Sequence, residues 1–127
     1  MPLLQKGVYN TMRIIKFRCW DGSANKMADW SEVQDWIHSL PWDDMFTDDS
    51  LVLEQFTGLL DKSGVEIYEG DVVSNPHDTK PTHIIEWNES QAGFMLSGSC
   101  MLMSFQLSEF WTVIGNIHQP ELLGDKT

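Results

Sequence analysis

The chain has 127 residues, of which 42% are hydrophobic, and this length and composition fit one globular domain. With 19 acidic and 8 basic residues its formal net charge is -11, which repels phosphate backbones and argues against direct nucleic-acid binding. No apolar run reaches the ~20 residues that span a bilayer, and the N-terminus lacks a signal-peptide pattern, so a cytoplasmic protein without a membrane partner is predicted.

The cysteines and the acids are unevenly placed. Cys19 and Cys100 are far apart and lack histidines at ligand spacing, so they predict reduced thiols rather than a zinc site or a disulfide. Residues 27–61 contain nine acids and no lysine or arginine. Such a segment predicts a solvated acidic face, a docking surface for a basic protein, or a DNA mimic. The nine are Asp29, Glu32, Asp35, Asp43, Asp44, Asp48, Asp49, Glu54 and Asp61.

The first third of the chain predicts a hairpin and a helix. Residues 1–11 show no pattern and are expected to form a flexible extension ahead of a single domain at 12–124. The mixture of aromatic and basic residues in "RIIKFRCW" predicts a strand with one wet face, and "DGSANK" predicts a turn after it. Ser31 and Gln34 fit a capping box, which predicts a short helix at about 32–40 ended by Pro41.

The middle of the chain predicts a second hairpin. Alternation in "LVLEQFT", residues 51–57, indicates a strand, and "DKSG" provides Asp61 and Gly64 for a turn into "VEIYEG". Gly70 permits a bend, and Asp71 after it is expected to accept backbone hydrogen bonds. We therefore interpret Asp61, Gly64, Gly70 and Asp71 as structural turn residues.

The remaining pattern continues in short strands. "THIIEWN" and "GFMLSG" predict another hairpin, and "FWTVIGNI" predicts a final strand. Five or six short strands with one helix indicate a β-rich α+β protein, built as a small, strongly bent antiparallel sheet or a partly open barrel. No glycine-rich phosphate loop occurs, and no nucleotide or other cofactor is predicted.

Two residue sets are candidates for function. Asp71, His77, Asp78, His83 and Glu86 carry groups that bind divalent metals, but their spacing matches no compact motif, so neither a metal nor a catalytic residue is predicted. The aromatic residues of the acidic helix region recur out of phase with one helical face, which leaves two alternatives: burial in the monomer or an interface. The interface candidates are Trp30, Trp36, Trp42 and Phe46.

Four stretches occur in an order that resembles the YopX-like proteins of phages and prophages: "IKFRCWD", "LEQFTGLLDKSGVEIYEGDVV", "IIEWNESQAGFML" and "VIGNIHQPELL". The chain departs from that pattern at Cys19 and in the turn, where Leu60, Ser63 and Val65 replace polar residues. The resemblance implies a compact β-rich accessory protein of temperate phages that self-associates, and it implies no activity.

Three functional hypotheses follow. The first is a noncatalytic phage or prophage accessory protein that acts through contacts with host or phage proteins and forms a homo-oligomer. The second is an acidic DNA mimic or inhibitor of a host protein. The third is a metal-dependent enzyme that uses Asp71, His77, His83 and Glu86.

Overall fold

The computed structural model describes residues 14–39, 49–98 and 110–119. Within these ranges the chain forms eight strands and one helix. In chain order they are β1 (Phe17–Asp21), β2 (Lys26–Ala28), α1 (Trp30–Ser39), β3 (Leu51–Leu60), β4 (Glu66–Tyr68), β5 (Asp71–Ser74), β6 (Thr82–Asn88), β7 (Gly93–Leu96) and β8 (Thr112–Asn116). The predicted extension at 1–11, Trp42, Phe46 and Cys100 lie outside the described residues.

The strands form two four-stranded sheets. Sheet one has the order β2-β1-β3-β4 and sheet two has the order β7-β6-β5-β8. Every pairing within them is antiparallel. The prediction of a mostly β, strongly curled antiparallel architecture with one short helix is confirmed. The segment Glu69–Gly70 joins the sheets, because it links β4 to β5 across only two residues.

One hydrophobic cluster lies between sheet one and the helix. Cys19, Ala28 and Val33 are almost fully buried, and Leu51 and Leu53 of β3 pack against them. Because side chains alternate along a strand, Val52, Glu54 and Phe56 of β3 lie on the opposite face. That second face is directed toward sheet two, and it carries the polar residues described below.

The helix begins earlier than the sequence predicted. Asp29 Oδ1 accepts a hydrogen bond from the Glu32 amide (2.9 Å), and Glu32 Oε1 accepts one from the Asp29 amide (3.2 Å). This reciprocal pair is a capping box, with aspartate as the cap. The predicted box of Ser31 and Gln34 was therefore wrong, and the helix starts at Trp30 and ends at Ser39.

A second hydrophobic cluster fills sheet two and the curled end of sheet one. Its buried members are Ile67, Val73, Ile85, Leu96 and Trp111. The side chain of His83, also buried, meets the ring of Trp111 edge-on at a centroid distance of 5.1 Å.

None of the described helices is long and apolar enough to cross a membrane.

Asp61 fixes the turn between β3 and β4. Its Oδ1 accepts from the amides of Ser63 (2.7 Å) and Val65 (2.9 Å), and its Oδ2 accepts from the amide of Val113 (2.8 Å) in β8. Gly64 has a φ of 86° within the same turn. Asp61 is only 6% exposed, and it ties the hairpin to the last strand.

Replacement of Asp61 by alanine should therefore destabilise the protein. Three backbone amides would lose a charged acceptor, and a hydrogen bond to a charged group contributes about 1.5–3 kcal/mol, less at the exposed residues Ser63 and Val65, whose amides can bind water instead. We expect a loss of roughly 3 kcal/mol in the free energy of unfolding, measured by urea denaturation. Asp78→Ala, which removes a more exposed loop carboxylate, is the control, and equal losses for the two variants would contradict the assignment.

Candidate functional site

An arginine in β1 organises the space between the sheets. Arg18 Nε donates to Glu54 Oε1 (2.8 Å), and its Nη2 lies 2.9 Å from Asp71 Oδ1. The same Nη2 donates to the backbone oxygen of Glu69 (3.3 Å). The predicted wet face of β1 was wrong for this residue, because sheet two covers it and leaves the side chain 13% exposed.

Glu54 extends the contacts to a histidine beyond β8. Its Oε2 lies 2.9 Å from His118 Nε2, and since a carboxylate only accepts, that nitrogen carries the proton. The imidazole stacks on the Trp20 indole at a centroid distance of 4.6 Å and an interplanar angle of 8°. We call Arg18, Glu54, Asp71 and His118 the Arg18 network; it joins β1 and β3 of sheet one to β5 and the turn after β8.

Asp71 is an almost fully buried member of this network, with an exposure of 2%. Burial raises the pKa of its carboxyl above the ordinary value, while Arg18 and a hydrogen bond from the Tyr68 amide (2.7 Å) pull that pKa back down. The Arg18 guanidinium also lies 4.8 Å from the centroid of the Tyr68 ring. The aspartate thus serves as a buried counter-charge and as an acceptor for the turn before it.

The two-residue junction of the sheets is tied to both of them. The Glu69 amide donates to Gln55 in sheet one, and the Gly70 amide donates to Ile85 in sheet two. The Ile117 amide donates to the Gly70 oxygen. Gly70 has a φ of 88°, and a Cβ there would lie 2.5 Å from Glu54 Oε2. Glycine is therefore required twice, by backbone conformation and by the close approach of a carboxylate.

A recess of about 370 Å³ opens beside this junction, and we call it the intersheet cleft. Its walls come from β3, β6, the junction and the turn after β8. Its apolar lining residues include Val52, Ile84, Trp87 and Ile117, and its acidic ones are Glu54, Glu69 and Glu86. Val52 and Trp87 are 39% and 46% exposed, so the cleft opens to solvent beside them.

The residues considered for a metal site are not assembled. Asp71 faces Arg18, whereas His83 Nε2 lies 3.5 Å from Asp78 Oδ2 and the other ring nitrogen contacts the Ser97 backbone oxygen. His77 is exposed in its loop, and Glu86 lines the cleft. Over the ranges that the structure describes, no group of three His, Cys, Asp or Glu side chains could hold a metal ion.

Two of the four predicted interface residues, Trp30 and Trp36, lie among the described residues, and both belong to α1. Trp30 and Trp36 are half-buried and pack against the cluster of Cys19, Ala28 and Val33. The Trp30 ring also lies 6.1 Å from the Phe17 ring, centroid to centroid. Part of each indole is therefore committed to the core of the monomer, and the remainder faces outward.

The family model described as YopX protein matches residues 16–124. The chain belongs to the YopX family. The fold is similar to that in the crystal structure of protein EF1440 from Enterococcus faecalis, which is 23% identical, with a TM-score of 0.62 over 88% of this chain and 99% of that one. At this identity the likeness concerns the fold. No curated protein matches the chain.

The Arg18 network was not predicted from the sequence. Arg18 and His118 do lie within the stretches "IKFRCWD" and "VIGNIHQPELL" that carry the YopX resemblance. Their pairing with Glu54 and Asp71 joins residues more than thirty positions apart, and no local spacing encodes it. The presence of one arginine and one histidine inside the family stretches was the available signal.

Proposed function

We propose that this YopX family member is a noncatalytic accessory protein of a phage or prophage. It acts in the cytoplasm of the bacterial host through contacts with other proteins, and it self-associates. One observation carries the noncatalytic part: each buried carboxylate or imidazole among the described residues is held by groups of the protein itself. These side chains are Glu54, Asp61, Asp71 and His83.

Their contacts leave little for a substrate. Glu54 and Asp71 engage Arg18, and Asp61 accepts three backbone amides. His83 is bound through both ring nitrogens. Catalytic acids and nucleophiles must reach a reacting atom, and residues that are fully engaged in holding two sheets together do not meet that condition.

The acidic surface supports a protein partner rather than a nucleic acid. A net charge of -11 favours encounters with basic proteins and repels phosphate backbones. The DNA-mimic hypothesis is less well supported, because Glu54 and Asp61 of the acidic segment are buried at 2% and 6% exposure. Carboxylates in the core cannot imitate the phosphates of a duplex surface.

Light scattering coupled to size exclusion tests self-association. At tens of micromolar the wild type is expected to have a mass that is a multiple of 14.6 kDa. If the outward part of the Trp36 ring anchors the interface, Trp36→Ala should raise the dissociation constant roughly thirtyfold, since an aromatic hot spot contributes about 2 kcal/mol.

Phe110→Ala is the control for this experiment, because it removes an aromatic side chain that is 62% exposed but lies outside the helix region. Thermal unfolding of both variants separates a lost interface from a lost fold. A monomeric wild type would contradict self-association. Partner binding is examined separately, by affinity capture from lysogenic cells and identification of the bound protein.

A further inference from the structure

The intersheet cleft combines an apolar wall with an excess of negative charge. Glu54 and Glu69 line it, and both share with Asp71 the guanidinium of Arg18, which is not itself a lining residue. Both oxygens of Glu54 are already engaged, one by Arg18 and one by His118, so this residue contributes a field rather than a contact. Three carboxylates facing one fixed cation leave the inner end of the cleft short of positive charge.

Glu69 is the group that this excess affects most directly. Burial raises the pKa of its carboxyl, and the nearby charge of Glu54 raises that pKa further. A hydrogen bond from the backbone amide of Gln55 opposes the shift. Its Oε1 accepts that bond at 3.3 Å, and its other oxygen has no partner among the described residues. A half-buried carboxylate with one open oxygen is well suited to accept a charge-assisted hydrogen bond.

We propose that the intersheet cleft binds one cationic side chain, an arginine or a lysine, presented by a partner protein. The charged head would bond to Glu69, and Glu86 at the cleft would add attraction. The aliphatic stem would lie along Val52, Ile84 and Ile117, which cover it without competing for the charge. The inference deepens the proposed function, because it names the chemistry by which the partner is recognised.

Trp87 supplies the second element of recognition. Its ring packs edge-on against Phe94 at a centroid distance of 5.2 Å, which fixes the indole in place while it remains 46% exposed. An indole attracts a cation that comes within about 6 Å of its ring, so Trp87 at the open side would attract the charged head as it enters the cleft. A volume of about 370 Å³ lies near the lower end of the range for ligand sites, about 300–1,000 Å³, and is ample for one long side chain.

The experiment is a titration of the full chain, followed through the Gly70 amide and the Trp87 indole N–H by NMR. The probes are blocked tripeptides with arginine, lysine or citrulline between two glycines; citrulline has nearly the shape of arginine but no charge. We expect the arginine and lysine peptides to shift both signals with millimolar dissociation constants, and the citrulline peptide to leave them unchanged. Glu69→Gln keeps the acceptor for the Gln55 amide and should weaken binding about tenfold.

Asp35→Asn is the matched control, because it removes one carboxylate from an exposed position of α1, on the other face of sheet one. It should leave the titration unchanged. Trp87→Leu, expected to weaken binding about threefold, tests the aromatic contribution independently of charge. Equal shifts with citrulline, or equal affinities for Glu69→Gln and Asp35→Asn, would overturn the proposal.

A captured partner separates this inference from the broader function. If that partner binds wild type and Glu69→Gln equally well, the cleft assignment fails while the protein-contact function stands. If binding of the partner and of the arginine peptide falls together in Glu69→Gln, the cleft is supported. Competition between the chain's own residues 1–13 and the peptides, tested with a synthetic copy of that segment, would instead name this chain's own sequence as the source of the cation and overturn the assignment to another protein.

Discussion

Replacement of Arg18 by methionine is expected to destabilise the protein by about 3–5 kcal/mol at pH 7. Methionine retains much of the stem's volume but removes the charge, which leaves Glu54 and Asp71 without their shared cation. Their side chains are 3% and 2% exposed, so water cannot replace it. Because domains of this size are stable by about 5–15 kcal/mol, the variant should be near the limit of folding. Urea denaturation measures the loss.

The effect of Arg18→Met should depend on pH in a defined direction. Arg18 lowers the pKa of Asp71 and of Glu69, so its removal raises both beyond their already elevated folded-state values. Between the ordinary carboxyl values and those raised values, the folded state binds more protons than the unfolded state, so stability is lost as the pH rises. The loss in the free energy of unfolding, relative to wild type, should therefore become smaller as the pH falls from 7 to 5.

Lys26→Met provides the control for that experiment. Lys26 also pairs with a carboxylate, Glu32 at 3.3 Å, but its side chain is 66% exposed. Exposed pairs contribute about 0–1 kcal/mol, so this loss should be small and nearly independent of pH in the same range. Arg18→Lys should fall between the two, because one ammonium cannot reproduce the separate contacts of Nε and Nη2. A deficit for Arg18→Met that is identical at pH 5 and pH 7 would contradict the buried-charge explanation.

Local patterns predicted the strands because their signals are local. The alternation of residues in β3 indicates that Val52, Glu54 and Phe56 share one face of the strand. The structure agrees with this two-residue period, because Glu54 and Phe56 are buried on one face while Leu53 packs toward the helix on the other. The turn residues Asp61 and Gly64 lie between β3 and β4, and the hairpin occurs where they predicted it. The helix start was missed by two residues, since Asp29 and Ser31 are both suitable caps by residue type.

The candidate site could not be predicted in the same way. A basic residue on a strand indicates a solvent-facing position unless another layer covers it. The residues near Arg18 in the sequence give no indication that sheet two will cover that residue. Glu54 illustrates the converse, because it was counted among the acids of a surface segment and is 2% exposed. Long-range pairing of buried charges depends on how two sheets are stacked, and that stacking is set by the whole fold.

The same limit applies to the cleft. Glu69 and Trp87 are separated by eighteen positions: Glu69 follows β4, whereas Trp87 lies near the end of β6. The fold, and not their spacing in the sequence, brings them to the same cleft. The sequence analysis placed the acidic segment at residues 27–61 and the interface aromatics in the helix region, and neither set includes Glu69 or Trp87. Their arrangement follows from the junction at Glu69–Gly70, where the chain crosses from one sheet to the other.

Replacement of Gly70 by alanine is the second change with a large expected effect. A φ of 88° strains any residue with a Cβ, and this alone costs about 1–2 kcal/mol. The new Cβ would also lie 2.5 Å from Oε2 and 2.9 Å from Cδ of Glu54, whose oxygens are held by His118 and Arg18. Displacing this buried carboxylate should add about 2–3 kcal/mol, for a total near 4 kcal/mol by urea denaturation.

Gly64→Ala measures the backbone strain alone, because Gly64 has nearly the same φ, 86°, and no atom lies within 4 Å of its added Cβ. It should cost only the backbone strain, about 1–2 kcal/mol. The excess loss at Gly70 then measures how firmly Arg18 and His118 hold Glu54 against the junction. If the two glycines cost the same, Glu54 is free to move and the Arg18 network does not fix the sheets; a larger loss at Gly70 explains why the chain places glycine directly before Asp71, where the two sheets meet.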